Sequence, residues 1–282
     1  MASPVSKKTA KKKAPARTKK RTAGKSAKPG PKKSAVRKKT LSPWWLLGLS
    51  MLILLLAVGL PHWIRKSNPD RGAVIPGGYR HFVLDLSHHN PREIQWDSLK
   101  VVIDAEGRSS KDLQGGKAIL PIQHVILKAS EGESMKDPHF AAWWAEAGEA
   151  GLSRGAYHFF RSSRDARLQA QNYIESVHLS HKDLPPVLDI ESTHEGCTRE
   201  QLNRKALFWL RMVEEHYGRT PIVYTSDAFA KDWLSREILD HYPLWIARYN
   251  SEEPRTQGWR FWQFTDRAVV YGVKGLVDLS VF

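Results

Sequence analysis

Residues 184–191 read LPPVLDIE, a short apolar run that follows two prolines and ends in two carboxylates. The run has the length of a buried strand, and a helical pattern begins soon after it at Thr198. Asp189 and Glu191 lie two positions apart, so on a strand they face the same side, with Cα atoms roughly 6.6 Å apart. This arrangement predicts a strand of a parallel sheet with two acids at its carboxyl end.

Strand and helix patterns alternate on both sides of this run. The other strand candidates are residues 81–87, 123–128, 155–160, 221–224, 244–249, 261–264 and 275–279, and the helix candidates are 138–150, 165–180, 199–217 and 227–240. The alternation predicts an α/β fold with parallel pairing, and eight strands predict a barrel. The last three strands lie too close together for full crossover helices. We therefore expect an irregular (β/α) barrel of the TIM type, with eight strands and fewer than eight helices.

Four acids fall at or near the carboxyl ends of the predicted strands, where barrels of this type carry their active groups. They are Asp85, Asp189, Glu191 and Asp278. Like charges held close together in partly buried space raise the pKa of at least one of them. Cleavage of a glycosidic bond requires a carboxylic acid that keeps its proton near neutral pH. We interpret Asp189 and Glu191 as a catalytic pair, and the alternative is an exposed strand end whose acids cap a helix.

Aromatic side chains crowd the same strand ends. They are Tyr157, Phe159, Tyr224, Trp245, Tyr249 and Trp262, whose flat faces either stack on sugar rings or pack the barrel. His88, His89 and His158 suggest a metal, but two adjacent histidines on a strand point to opposite faces, which suits metal ligation poorly. The sequence has no phosphate-binding glycine motif and no zinc-protease pattern. We expect no metal at these histidines, and we interpret the single Cys197 as an ordinary small residue.

The positive charge of the chain is concentrated at its beginning. Residues 1–42 contain 16 of the 44 Lys and Arg residues and none of the 29 Asp and Glu residues, so the remainder has a net charge of −1. The segment has almost nothing to bury, which predicts a disordered basic tail. We expect it to contact anionic lipid, and the alternative is nucleic-acid binding by counterion release. The rest of the chain gives no indication of nucleic-acid binding.

Residues 43–64 are predicted to form a transmembrane signal anchor. About 21 consecutive residues carry no formal charge, which at helical rise spans roughly 30 Å, and tryptophans lie at both ends. The basic residues before the span place the tail in the cytoplasm and the barrel outside the membrane, in a bacterial periplasm or envelope. Cleavage as a signal peptide is the alternative. Residues 65–79 are interpreted as a linker, and residues 80–282 as the folded domain.

Residues 80–282 resemble glycoside hydrolase family 25, the lysozymes that act as N-acetylmuramidases. The matching stretches are DLSHHN at 85–90 with IQW at 94–96, VILKASEG at 125–132 with Asp137, GLSRGAYHFF at 151–160, LPPVLDIE at 184–191, PLWIARY at 243–249, FWQF at 261–264 and VDL at 277–279. The resemblance covers the whole predicted domain. It implies an irregular β/α barrel that hydrolyses the β-1,4 bond between N-acetylmuramic acid and N-acetylglucosamine in peptidoglycan, without metal or cofactor.

The resemblance also implies roles for individual residues. Glu191 matches the general acid, and Asp189 matches the acid that supports the reacting centre, where the acetamido group of the substrate is the nucleophile. Asp85 and Asp278 match the other two acids of the cleft, and Tyr157 is expected to contact the sugar at the scissile bond. The other residues expected to contact the glycan strand are Trp245, Tyr249, Gln263 and Tyr224.

The chain departs from the family pattern at residues 101–122, which are longer than the usual connection. They contain a second Asp-x-Glu, Asp104 and Glu106, but no proline-led strand precedes it, so we expect no site there. The longer connection is expected to reshape one wall of the cleft. Two other functions remain open: an inert peptidoglycan-binding module, and an envelope tether whose basic tail is the working end. The presence of all four acids argues against the inert module.

Overall fold

The computed structural model describes residues 72–282. The predicted basic tail (1–42) and transmembrane segment (43–64) lie outside the described residues. Between residues 72 and 282, no helix combines the length and the apolar character needed to cross a membrane.

The described residues form twelve strands, five α-helices and one 3₁₀ helix (Trp96–Ser98). The strands are β1 (Phe82–Leu86), β2 (Lys100–Ile103), β3 (Ser109–Ser110), β4 (Ala118–Pro121), β5 (His124–Glu131), β6 (Met135–Lys136), β7 (Ser153–Phe159), β8 (Val187–Asp189), β9 (Ile222–Ser226), β10 (Leu244–Ala247), β11 (Trp259–Ala268) and β12 (Val277–Val281). The helices are α1 (Phe140–Glu149), α2 (Ala166–Ser176), α3 (Arg199–Tyr217), α4 (Asp227–Trp233) and α5 (Arg236–His241).

Eight of these strands close into a barrel in the order β1, β12, β11, β10, β9, β8, β7, β5, and the parallel pair β1–β5 completes the ring. All neighbouring pairs are parallel except those of β12, which runs antiparallel to both β1 and β11. The prediction of an irregular eight-stranded barrel with fewer than eight helices is therefore confirmed, since residues 72–282 contain five α-helices. The reversed β12 follows from the short connection after β11, which leaves no room for a crossover helix.

The long connection at 101–122 folds as a small sheet in the place where a regular barrel has its first helix. Strand β2 pairs antiparallel with β3 and β4, and together they link β1 to β5. Asp104 and Glu106 lie in the turn between β2 and β3. The Asp104 carboxylate accepts a hydrogen bond from the backbone N–H of Arg108 at 2.7 Å. This second Asp-x-Glu therefore stabilises a hairpin turn.

Two predicted helices differ from the structure. The predicted helix 227–240 is two helices, because Leu234 adopts an extended conformation and Ser235 begins α5 as its N-cap. The buried Asn203 of α3 holds this break, since its Oδ1 accepts from the Ser235 N–H at 2.7 Å and its Nδ2 donates to the Trp233 carbonyl at 2.7 Å. The predicted helix 165–180 ends at Ser176, because the next residue is extended.

Helix α3 has the bounds that its end signals predict. Thr198 and Gln201 form a reciprocal capping box, in which each side chain accepts from the other residue's backbone N–H. Gly218 follows the helix with φ 62°, a left-handed conformation that glycine adopts without a steric penalty.

Alternation along each strand divides the core into two layers. On β8, Leu188 faces outward into the main core between the strands and the helices, whereas Val187 faces the barrel interior. Asp189 lies two positions after Val187, so it shares the interior face. The interior is apolar near the amino ends of the parallel strands, where Val83 and Ile222 pack. Its polar groups lie at the carboxyl ends, where a substrate has access.

Residues 72–79, the end of the predicted linker, contact the domain. Ile75 is buried, and its backbone N–H donates to the Gly107 carbonyl at 2.9 Å. The Tyr79 hydroxyl donates to Glu253 at 2.6 Å. These contacts join the predicted linker to the small sheet and to the loop after β10.

Candidate active site

A cavity of about 310 Å³ opens at the carboxyl ends of the parallel barrel strands. The nine residues that the sequence analysis assigns to catalysis or glycan binding all line it. The other four lining residues are Ser87, His89, Lys128 and Phe159. The nine are Glu191, Asp189, Asp85, Asp278, Tyr157, Trp245, Tyr249, Gln263 and Tyr224. Residues from all eight barrel strands therefore converge on one site.

The backbone of residues 189–191 is fixed on both sides by neighbouring strands. The Asp189 carbonyl accepts from the Phe160 N–H at 2.8 Å, and the Ile190 N–H donates to the Tyr224 carbonyl at 2.9 Å. Asp189 is buried, and its Oδ1 has no hydrogen-bond partner among the described residues. Glu191 lies beyond the strand end at the rim of the cavity, where solvent reaches its side chain. The pair thus consists of one enclosed carboxyl and one accessible carboxyl.

Both members of this pair have a raised pKa. Burial raises the pKa of Asp189 well above its ordinary value, and the nearby charge of Glu191 raises it further. Partial burial also raises the pKa of Glu191. The ammonium of Lys128 opposes both shifts, because a positive charge stabilises a carboxylate. The two acids therefore titrate in a setting where a proton is retained to higher pH than in water.

Asp85 and Asp278 form the second acidic pair. They lie directly opposite each other in the antiparallel ladder of β1 and β12. Burial and the charge of Asp278 raise the pKa of Asp85 well above its ordinary value. Burial raises the pKa of Asp278 to about 6, with further contributions from Asp266 and Glu191. This pair therefore retains a proton to higher pH than exposed aspartates do.

Gln263 connects the second acidic pair to the aromatic wall. Its Nε2 donates to the two oxygens of Asp85 at 3.1 and 3.3 Å, and its Oε1 accepts from the hydroxyls of Tyr224 and Tyr249 at 2.8 Å each. Tyr224 is buried, whereas Tyr249 is 54% exposed and presents a ring face at the rim. One buried amide thus sets the orientation of a carboxylate and two phenols.

Two further aromatic residues border the cavity. Trp245 is buried, and its indole N–H donates to the Ser280 hydroxyl at 2.9 Å. Tyr157 is partly buried, and burial together with the charge of Asp189 raises the pKa of its phenol well above the ordinary value. The Tyr157 phenol is therefore neutral and can donate a hydrogen bond to a bound sugar.

Lys128 is a residue of the cavity that the sequence analysis did not assign to the site. It is 5% exposed, its Nζ binds Glu131 at 2.6 Å, and it lies over the Phe159 ring at 5.1 Å. Arg161 also binds Glu131, at 2.8 Å through its Nε. The available signal was a lysine inside the apolar run 125–129, because a buried lysine requires a charged partner. Ser87 and His89 lie in the turn after β1 and carried no comparable signal.

The histidines differ from the sequence interpretation. His88 and His89 lie in a turn, not on a strand, and their rings are 4.0 Å apart. His88 pairs with the buried Asp137 at 2.8 Å, while His158 is enclosed between Ser130 and Gln169. Across residues 72–282, no group of three or more His, Cys, Asp and Glu side chains is arranged to hold a metal ion.

Two other patterns lie away from the cavity. Residues 151–155 read GLSRG, a spacing that serine hydrolases use, but Ser153 begins β7 at the amino end of the strand, opposite the cavity. Trp262, an aromatic candidate for sugar stacking, is buried in the outer core, and its indole N–H donates to the Arg248 carbonyl at 2.9 Å. Neither Ser153 nor Trp262 can therefore contact a substrate in the cavity.

Known proteins share this barrel. The model of glycosyl hydrolases family 25 matches residues 84–273, and YegX of Escherichia coli strain K12 is 36% identical over 210 residues, 74% of this chain and 71% of YegX. Lysozyme M1 of Streptomyces globisporus is 29% identical over 175 residues, 56% of this chain and 59% of that protein. The bacterial lysozyme structure from Streptomyces coelicolor aligns with a TM-score of 0.60 and 25% identity, covering 73% of this chain and 93% of that one. The chain therefore belongs to glycosyl hydrolase family 25.

Proposed function

We propose that the protein is a lysozyme that hydrolyses the β-1,4 bond between N-acetylmuramic acid and N-acetylglucosamine in peptidoglycan. One observation carries the proposal: four carboxyls with raised pKa values and an aromatic wall line a single cavity in a family 25 barrel. The lysozymes among its relatives support the same reaction.

Glu191 is the proposed general acid. It lies at the accessible rim, where a glycosidic oxygen can approach it, and its raised pKa keeps a proton available. Transfer of this proton to the leaving oxygen breaks the glycosidic bond without release of an alkoxide. As the sugar departs, the carboxylate that forms is stabilised by the positive charge of Lys128.

Asp189 is the proposed support of the reacting centre. Its Oδ1 is buried without a partner, so it can accept a hydrogen bond from the acetamido N–H of the muramic acid. That bond favours the charged form of Asp189 and leaves the proton of the pair on Glu191. A deprotonated Asp189 in turn makes the acetamido oxygen a better nucleophile toward the anomeric carbon.

The remaining residues hold the glycan strand. Asp85 and Asp278 supply acceptors and donors for sugar hydroxyls, and Gln263 keeps Asp85 oriented. The exposed ring of Tyr249 offers a stacking face, and Tyr157 and Trp245 enclose the opposite side. These contacts place the scissile bond between the rim carboxyl and the enclosed carboxyl, the arrangement that proximity catalysis requires.

Product analysis of peptidoglycan digested by the full chain tests this function. Reduction of the new ends with borohydride distinguishes the sugar at the cleavage point. New ends that carry muramic acid support the lysozyme. New ends that carry glucosamine, or binding without fragment release, would overturn it.

We further propose that residues 43–64 anchor the enzyme in the cytoplasmic membrane, with the tail inside and the barrel in the periplasm or envelope. The charge-free run and the basic residues before it support this orientation. Protease added to spheroplasts, whose cytoplasmic membrane is the remaining barrier, should digest the barrel and spare the tail. A barrel protected in spheroplasts and digested only after their lysis would contradict it.

The basic tail is proposed to contact anionic lipid head groups at the cytoplasmic surface, with nucleic acid as the alternative partner. Deletion of residues 1–42 should leave peptidoglycan hydrolysis intact, because the tail and the barrel lie on opposite sides of the membrane. Loss of hydrolysis in that variant would instead favour a tether whose tail is the working end.

A further inference from the structure

A second concavity, of about 720 Å³, lies beside the catalytic cavity and is larger than it. Helices α4 and α5 form one wall, and the loop at residues 248–257 forms the other. The catalytic residues discussed above are not among those that line it, so it is a separate feature of the same barrel face.

The two cavities are adjacent on the same strands. On β10, Trp245 lines the catalytic cavity and Ala247 lines the second concavity. On β9, Tyr224 and Ser226 repeat this relationship. Residues two apart on a strand face the same side at a separation of roughly 6.6 Å. A branch on a sugar bound in the catalytic cavity therefore reaches the second concavity within a few bonds.

The loop wall is held in place by an ion pair to the first residue of α4. Arg248 binds Asp227 at 2.8 Å, and both side chains are largely buried. Asp227 also accepts from the backbone N–H groups of Arg255 and Thr256 and from the Thr256 hydroxyl at 2.7 Å. This network fixes the loop before a ligand arrives, which reduces the entropy cost of binding.

The charges that face the concavity are not all paired with one another. Arg236 forms an exposed ion pair with Asp240 at 2.9 Å. Among the described residues, the side chains of Lys231, Arg255 and Asp232 form no ion pair and no hydrogen bond, although all three line the concavity. Two cations and one carboxylate therefore remain available to a ligand that carries carboxylates and an amine.

We propose that this concavity binds the peptide stem attached to the N-acetylmuramic acid unit at the scissile bond. The proposal rests on the proposed function, since it assigns a binding site to part of the same substrate. The stem is an acidic peptide with free carboxylates and, in many bacteria, a diamino acid with a free amine. Lys231 and Arg255 bind its carboxylates, Asp232 binds its amine, and the apolar Leu239 and Ala228 contact its alanyl methyl groups.

The test compares two substrates and two double variants of the full chain. The substrates are peptidoglycan with its stems and the same glycan after an amidase has removed them. The test variant is Lys231→Glu with Arg255→Glu. The matched control, Lys182→Glu with Arg204→Glu, makes the same charge change at exposed positions that line neither cavity.

The test variant should lose about tenfold in kcat/KM on stem-bearing peptidoglycan and keep wild-type activity on the stem-free glycan. The control should match wild type on both substrates. Equal losses on the two substrates, or no loss on either, would overturn the proposal. A milder pair, Lys231→Gln with Arg255→Gln, repeats the comparison without adding negative charge.

Direct binding separates this proposal from the proposed function. The free stem tripeptide of alanine, glutamate and diaminopimelate, titrated by calorimetry, should bind wild type and the control and bind the test variant about tenfold more weakly. If wild type binds the peptide but does not hydrolyse peptidoglycan, the proposed stem site is supported and the proposed lysozyme activity is rejected. If wild type hydrolyses peptidoglycan but does not bind the peptide, the lysozyme activity is supported and the proposed stem site is rejected.

Discussion

Gln263 donates through one amide nitrogen to both carboxylate oxygens of Asp85, at 3.1 and 3.3 Å, in the buried floor of the catalytic cavity. Its other atom, Oε1, accepts from Tyr224 and Tyr249 at 2.8 Å. The amide thus acts as a donor through Nε2 and as an acceptor through Oε1 at the same time. It lowers the pKa of Asp85, against the effects of burial and of Asp278.

Replacement of this amide by a carboxylate should lower the free energy of unfolding at high pH. In Gln263→Glu, the new acid faces Asp85 in buried space, so we expect a loss of roughly 3 kcal/mol or more in the free energy of unfolding at pH 8. At pH 4 a shared proton relieves the repulsion, so the loss should shrink. Thermal unfolding at both pH values measures it. Gln171→Glu, at an exposed helix position, is the control, and equal losses at pH 4 and pH 8 would contradict the account.

Asp278 should make the protein less stable as pH rises. Burial raises its pKa from 3.8 to about 6, so its contribution is fully present below pH 3.8 and is lost as pH rises through 6. For a shift of this size the free energy of unfolding should fall by roughly 3 kcal/mol. Asp278→Asn should therefore unfold at a higher temperature than wild type at pH 8 and at a similar temperature at pH 3.5. A variant less stable than wild type at pH 8 would be inconsistent with this linkage, and the exposed Asp232→Asn serves as the control.

Lys128 should influence the pH at which kcat/KM falls on the alkaline side of the pH profile. Its charge lowers the pKa of Glu191, so its removal raises that pKa, and Glu191 keeps its proton to higher pH. In Lys128→Met the alkaline limb of kcat/KM should move upward, while Arg161 still pairs with Glu131. Lys128→Arg keeps the charge and should leave the limb in place. An unchanged or downward-shifted limb in Lys128→Met would show that this charge does not act on the general acid.

Asn203 should stabilise the break between α4 and α5. In Asn203→Ala the Ser235 N–H loses its partner and the Trp233 carbonyl keeps only the longer bond from Arg199 Nε at 3.2 Å, which we expect to cost roughly 2 kcal/mol. Urea unfolding monitored by tryptophan fluorescence measures the change. Arg204→Ala, on the exposed face of the same helix, should change stability by less than about 0.5 kcal/mol. A loss no larger for Asn203→Ala than for Arg204→Ala would contradict the assignment.

The barrel and its acids were predictable because the signals are local. Residues 184–191 contain a strand and two same-face acids within eight positions, and β8 with Asp189 lies where this pattern predicts. The helix ends of α3 follow from Thr198, Gln201 and Gly218 for the same reason. Alternation along each strand then brings Asp85 and Asp189 to one end of the barrel interior. The prediction for Asp278 was wrong in one respect: it lies near the amino end of the reversed β12, not at a carboxyl end, and reaches the same cavity because that strand runs antiparallel.

Other features depend on contacts between distant residues. The break at Leu234 depends on Asn203, which lies 30 or more positions earlier. The position of Glu131 beside the buried Lys128 depends also on Arg161, which lies 30 positions later and donates to Glu131 at 2.8 Å. The small sheet at 100–121 is stabilised by pairing between strands and by Ser109, whose hydroxyl accepts from the Val269 N–H at 2.9 Å. The hydrophobic pattern along the sequence does not show which distant residues will contact each other.

The most direct test of the central claim is hydrolysis of peptidoglycan by the full chain and by its Glu191→Gln variant, with Glu195→Gln in the exposed loop nearby as the control. We expect the wild type and the control to release fragments with muramic acid at the new reducing ends. Glu191→Gln should retain its thermal unfolding profile and lose about a thousandfold or more in rate, since no proton reaches the leaving oxygen. A folded Glu191→Gln variant that hydrolyses peptidoglycan at the wild-type rate would contradict the account.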